Sequence, residues 1–143
     1  MRSAVALLVA CAHAPNAPAD FAPPAYGFHD TFGPCDTDDA IDAAGEVWKR
    51  GTCAGDLGAF YRRRVRDPGL RDRVAAAFAR LPAAAPAAIG PCDDRFTFWN
   101  RTAHGVQTWV VCGTPNHERG LPASQLVSAP YADIVAMFEA LGP

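Results

Sequence analysis

No apolar run in this 143-residue chain reaches the roughly 18–20 residues that a helix needs to cross a bilayer. There is no basic excess either. Thirteen Lys and Arg stand against fifteen Asp and Glu, and a net charge of −2 argues against a nucleic-acid partner. The cysteines never fall at CxxC spacing, so disulfides are expected over the alternative of a zinc site, and no metal is expected. The acidic run "DTDDAID" lacks the glycine and the distal glutamate of an EF-hand loop. No cofactor signature is present, and no nucleophile with a paired base stands out near the polar loop "TPNHERG". These absences lean away from an enzyme without deciding the question. What the chain does have is apolar material: half of its residues, enough for a core.

The N-terminus carries the most specific signal. Arg2 supplies a positive charge, and "AVALLVA" at 4–10 forms a short apolar stretch that ends on Cys11. Leu8, Val9, Ala10 and Cys11 together resemble a bacterial lipobox. That resemblance implies a signal peptide over 1–10, cleavage before Cys11, and acylation of Cys11 by palmitate-type chains. It also implies anchoring to the lipid bilayer of the cell envelope. Ala12 after the cysteine favours the outer membrane, on its periplasmic or surface face, by the same resemblance. The alternative is an ordinary secreted chain cut after "APA" at 17–19.

Removing Cys11 leaves Cys35, Cys53, Cys92 and Cys112, an even set that suggests two disulfides in an exported protein. A helix expected between Cys35 and Cys53 would hold them about 20 Å apart, so that pairing is disfavoured. The preferred expectation is that each reaches into the 92–112 region. The hairpin register that would allow Cys92 to meet Cys112 stays open.

Residues 11–25 are rich in Pro and Ala and suit a tether, followed by a single domain over 26–143. Tyr26, Phe28 and Phe32 alternate, which predicts a strand over 26–32. Acids at the start of 36–51 and Lys49, Arg50 and Gly51 at its end predict a capped helix. Further helices are expected over 56–66 and, opening on Asp67–Pro68, over 68–81 with Leu70, Val74, Ala77, Phe78 and Leu81 inward. "RFTFW" and "VQTWVV" predict a hairpin over about 94–112, and a last helix starts near Pro130. The expected fold is α+β: a small, disulfide-stabilised antiparallel sheet packed with about four helices.

Three surfaces carry candidate chemistry. His29–Asp30 resembles the His–Asp pair of secreted phospholipase A2. However, Gly33–Pro34 breaks any helix there, and local hydrogen bonding accounts for the pair. "YRRRVR" at 61–66, with Arg71, Arg73 and Arg80, would give two helices a basic face. Trp99, Arg101, His104 and Trp109 on the hairpin, with Asn116, His117 and Arg119 in the following loop, form the candidate binding surface. The expectation is a lipid-anchored binding or accessory module for a protein or cell-wall partner. The alternatives are a small envelope hydrolase using a His–carboxylate pair and a structural lipoprotein using the basic helical face.

Overall fold

The computed structural model describes residues 21–32, 35–52, 61–84, 91–92, 94–114 and 121–142. Six strands form one antiparallel sheet: β1 Ala25–Phe32, β2 Cys35–Ile41, β3 Val47–Thr52, β4 Tyr61–Arg63, β5 Asp94–Thr102 and β6 Gly105–Cys112. Their order is β4-β3-β2-β1-β5-β6, so β1 is central and the chain meanders outward from it on both sides. Two helices, α1 Leu70–Ala79 and α2 Tyr131–Glu139, share the core with one face of the sheet.

The small sheet packed with four helices is therefore corrected. Residues 36–51 form the β2–β3 hairpin, not a helix. Alternation decides it. Ile41 and Val47 face the helices, whereas Ala40 and Trp48 lie in a separate cluster on the opposite face. The acids expected to cap a helix are cross-strand partners: Asp38 pairs with Arg50 and Asp39 with Lys49. Asp42 holds the turn by accepting the amides of Ala44 and Glu46, and Gly45 supplies its positive φ of 80°. The helix expected over 56–66 gives way at Tyr61–Arg63 to strand β4, and its first part lies outside the described residues. Arg62 and Arg63 thus sit on a strand while Arg71, Arg73 and Arg80 sit on or beside α1, so the basic helical face does not form.

The core follows from period 2 on the strands and period 3.6 on the helices. Phe28, Phe96, Phe98 and Trp109 project from the helix-bearing face toward Leu70, Val74, Phe78, Tyr131, Ile134, Val135 and Phe138. Phe28 touches Phe96, Phe98 and Phe138, with ring centroids 5.6–6.5 Å apart. Asp67 opens α1 by accepting the Gly69 amide at 3.0 Å. At the far end of α2, Lys49 and Arg63 both donate to the Gly142 carbonyl at 2.9 Å. Two cations at the negative end of a helix dipole lock α2 to β3 and β4.

The disulfide expectation is also corrected. Cys92 joins Cys112 across the open end of the hairpin, with Cα atoms 5.8 Å apart. Cys35 is disulfide-bonded as well. Its partner lies outside the described residues, as do Cys11 and Cys53. The distance argument against pairing 35 with 53 fails once the helix between them becomes a hairpin. Thr52, the residue before Cys53 in the chain, stands opposite Asp36, the residue after Cys35. Peptide mapping of the non-reduced protein is expected to recover Cys35 linked to Cys53, with Cys11 outside the framework. Recovery of Cys35 linked to Cys11 would refute this pairing.

Candidate functional site

Among the described residues the helices pack on one side of the sheet, and the other side reads as cross-strand rows set by the register. One row runs Asp36, Thr31, Arg95, Cys112. The next runs Arg50, Asp38, His29, Thr97, Val110. A third runs Trp48, Ala40, Gly27, Trp99, Thr108. The fourth includes Ala25, Arg101 and Val106.

The third row is an aromatic clip. Trp99 lies across Gly27, and Phe21 stacks on Trp99 at 5.8 Å and meets Trp48 edge-on at 5.6 Å. The segment expected to be the end of a free tether is thus pinned by a buried Phe21 to the open face. Trp48 donates its indole N–H to Asp42 at 3.0 Å, and Arg62 lies over its ring while pairing with Glu46.

The second row is polar and centred on His29. Its Nδ1–H donates to Asp38 Oδ1 at 2.9 Å, and Nε2 shares a hydrogen bond of 3.0 Å with the Thr31 hydroxyl. Arg50 donates from Nε and Nη2 to the other Asp38 oxygen at 2.8 and 2.6 Å. Asp36 stands 3.7 Å from Nε2. Asp38 is buried, with its side chain only 6% exposed, whereas the side chains of His29 and Asp36 are 31% and 46% exposed. The hydrogen bond to Asp38 raises the His29 pKa above its ordinary value, against the opposing pull of burial. That pairing stabilises the fold fully below about pH 6.5, and its contribution fades as pH rises through the higher folded value.

Thr31, His29 and Asp38 repeat the connectivity of nucleophile, base and orienting acid. The surroundings do not complete such a site. β1 is paired along its length with both β2 and β5, so its amides are spent on the ladders and offer no oxyanion donors. A raised His29 pKa also favours the imidazolium over the neutral base.

Asp30 shows why the His29–Asp30 pair is not a dyad. Neighbours on a strand point to opposite faces, and Asp30 turns to the helix-bearing side near Asp94. Asp30 is 9% exposed, and burial, with the Asp94 charge second, pushes its pKa up to about 6. Between about pH 4 and 6 the folded state binds the extra proton, so stability falls as pH rises through that window. Asp30→Asn is expected to be more stable than the parent at pH 7 by ~1–2 kcal/mol and to show no gain near pH 4. Urea midpoints at the two pH values test this; equal shifts at both would exclude the titration.

The expected binding surface is divided by the fold. Trp99 is buried under Phe21 on the open face, and Trp109 is buried on the other, donating to the Pro82 carbonyl at 2.8 Å. Arg101 is half-buried on the open face, and His104 is exposed in the β5–β6 turn. Asn116, His117 and Arg119 lie outside the described residues. The sequence alone does not single out Asp38 and Arg50, which strand pairing brings to His29, or Thr31, which reaches His29 from two residues along the same strand. The signal available was the period-2 pattern on either side of the "DAAGE" turn. No cluster of three or more metal-binding side chains occurs among the described residues. No protein-family model matches the chain, and no curated protein or solved structure is significantly similar to it.

Proposed function

We propose that this chain is a lipid-anchored binding module of the bacterial cell envelope, held to the outer membrane through an acylated Cys11. Its open sheet face would contact a protein or cell-wall partner. The observation that carries the reading is the polar row of Arg50, Asp38, His29 and Thr97 on the face opposite the helices, three half-buried side chains around the buried Asp38, preset by hydrogen bonds on an interior part of the sheet. Such a face presents fixed donors and acceptors at little ordering cost. The Cys92–Cys112 disulfide supports an oxidising compartment, and Cys35 to Cys53 pairing would leave Cys11 for the lipid. The chain from Cys11 to Phe21 reaches at most about 35 Å, so such an anchor would keep the open face near the bilayer.

The test places a photo-crosslinking residue at Thr97 on the open face and, as control, at Ala76 on the exposed side of α1. In cells, a discrete adduct is expected from position 97 and none from 76, and Arg50→Ala should deplete it. Adducts of equal pattern from both positions, or none from 97, would refute the reading. Labelling with an alkyne fatty acid should be lost in Cys11→Ser.

The Thr31–His29–Asp38 connectivity is the one observation on the side of a second reading, a small hydrolase acting through Thr31, although its surroundings lack oxyanion donors. Ester turnover abolished by both Thr31→Ala and His29→Gln would establish it in place of the first.

A further inference from the structure

The two edges of the sheet are protected very differently. β4 ends one edge with three residues, includes Arg62 and Arg63, and sends Arg63 to the α2 terminus. Short length and charge are the usual defences of an exposed edge. β6 ends the other edge with eight residues, "GVQTWVVC", and has neither charge nor proline. Gly105 to Thr108 are all exposed, and Val106 is the sole exposed large hydrophobic among the described residues.

The outward-facing groups of β6 can be assigned. Gly113 donates to the Asp94 carbonyl at 2.8 Å, which continues the β5–β6 register by one pair. In an antiparallel ladder the hydrogen-bonded residues alternate, so the odd positions of β6 bond to β5. Val106, Thr108, Val110 and Cys112 therefore turn their N–H and C=O groups outward. Among the described residues no strand receives them.

One strand in from this edge stand Arg95 and Arg101, both on the open face, beside Cys112 and Val106 respectively. Neither forms an ion pair among the described residues, and the Arg101 Nε is buried without a hydrogen-bond partner. Six residues apart on β5, the two cations lie about 20 Å apart along the strand. In their two rows only the side chains of Cys112 and Val106 stand between these arginines and the edge.

We infer that the β6 edge accepts an extended acidic segment of a protein partner, which adds as a further strand and directs carboxylates to Arg95 and Arg101. Main-chain hydrogen bonds would supply register and charge would supply selectivity. The inference rests on the binding-module reading and names the partner's chemistry.

The test uses the full folded chain and a capped heptapeptide, Glu-Thr-Val-Thr-Val-Thr-Glu, whose two acids share a face six residues apart. A Gln-for-Glu version is the control. Fluorescence polarisation should show the Glu peptide binding at least tenfold tighter than the Gln peptide at low salt. The double variant Arg95→Glu, Arg101→Glu should erase that difference. Val110→Pro removes an outward N–H without touching the β5 ladder and should abolish binding of both peptides; Val106→Pro, at another outward-facing position, repeats the test should the first proline unfold the chain. Equal binding of Glu and Gln peptides, or no binding at millimolar peptide, would overturn the inference. So would a concentration-dependent dimer that Val110→Pro dissolves, which would assign the edge to a second copy. Failure here with the Thr97 adduct intact leaves the broader reading standing, whereas loss of that adduct with peptide binding retained removes the broader reading alone.

Discussion

Phe98→Ala is expected to cost about 3–5 kcal/mol of folding stability, the loss typical of a large aromatic removed from a packed core. Phe98 is fully buried. Its ring meets Phe28 at 5.7 Å, Phe96 at 6.3 Å and Tyr131 at 5.0 Å, and Trp109 stands opposite on β6. It therefore joins the central strand, its neighbours and α2 at one point. The adjacent Thr97→Ala, on the open face, should change stability by no more than ~0.5 kcal/mol. Urea unfolding of the pair reads the alternation directly. Similar losses from both substitutions would mean that β5 does not present one buried and one open face.

Gly27→Ala should be nearly as damaging, at about 3 kcal/mol, the upper end of what overpacking costs. A Cβ on Gly27 would come within 2.5 Å of the Asp39 carbonyl oxygen and 2.5 Å of the Trp99 ring. The carbonyl belongs to the β1–β2 ladder and cannot retreat without breaking pairing. Trp99 would then have to lift, and Phe21, stacked on it, would lose its seat. The variant should show a lower unfolding midpoint and red-shifted tryptophan fluorescence. A midpoint matching the parent would show that Trp99 does not lie across Gly27. The N-terminal segment is thus coupled to the sheet through a position that admits only glycine.

Where a segment had one strong period, its structure was legible in the sequence. Leu70, Val74, Ala77, Phe78 and Leu81 recur at helical spacing and are buried as that spacing implies. Tyr131, Ile134, Val135 and Phe138 do the same on α2. The alternating aromatics of β1 and β5 mark strands equally well. The 36–51 segment was ambiguous because acids at one end and cations at the other satisfy two different rules. They can cap a helix dipole, or they can pair across a hairpin. The hairpin prevails because β1 offers β2 a full-length partner, and His29 and Arg50 then converge on Asp38. No local propensity contains that information.

The candidate site follows the same division. Residue types and spacing singled out His29, but as half of a pair with Asp30 that the pleat sends to opposite faces. Its real partners, Thr31, Asp38 and Arg50, are two, nine and twenty-one residues away along the chain. Thr31 shares its strand and face, while Asp38, and Arg50 through Asp38, are set beside it by register, which a one-residue slip would reverse.

The sequence alone determined the two amphipathic helices, the β5–β6 hairpin and the parity of four cysteines beyond Cys11, because each depends on local period or on counting. Only the tertiary structure decided the strand order, the Cys92–Cys112 bridge, the burial of Trp99 and Trp109 on opposite faces, and the polar row around His29. These depend on which strands lie side by side, and strand neighbours are chosen by long-range packing that no short stretch of residues encodes.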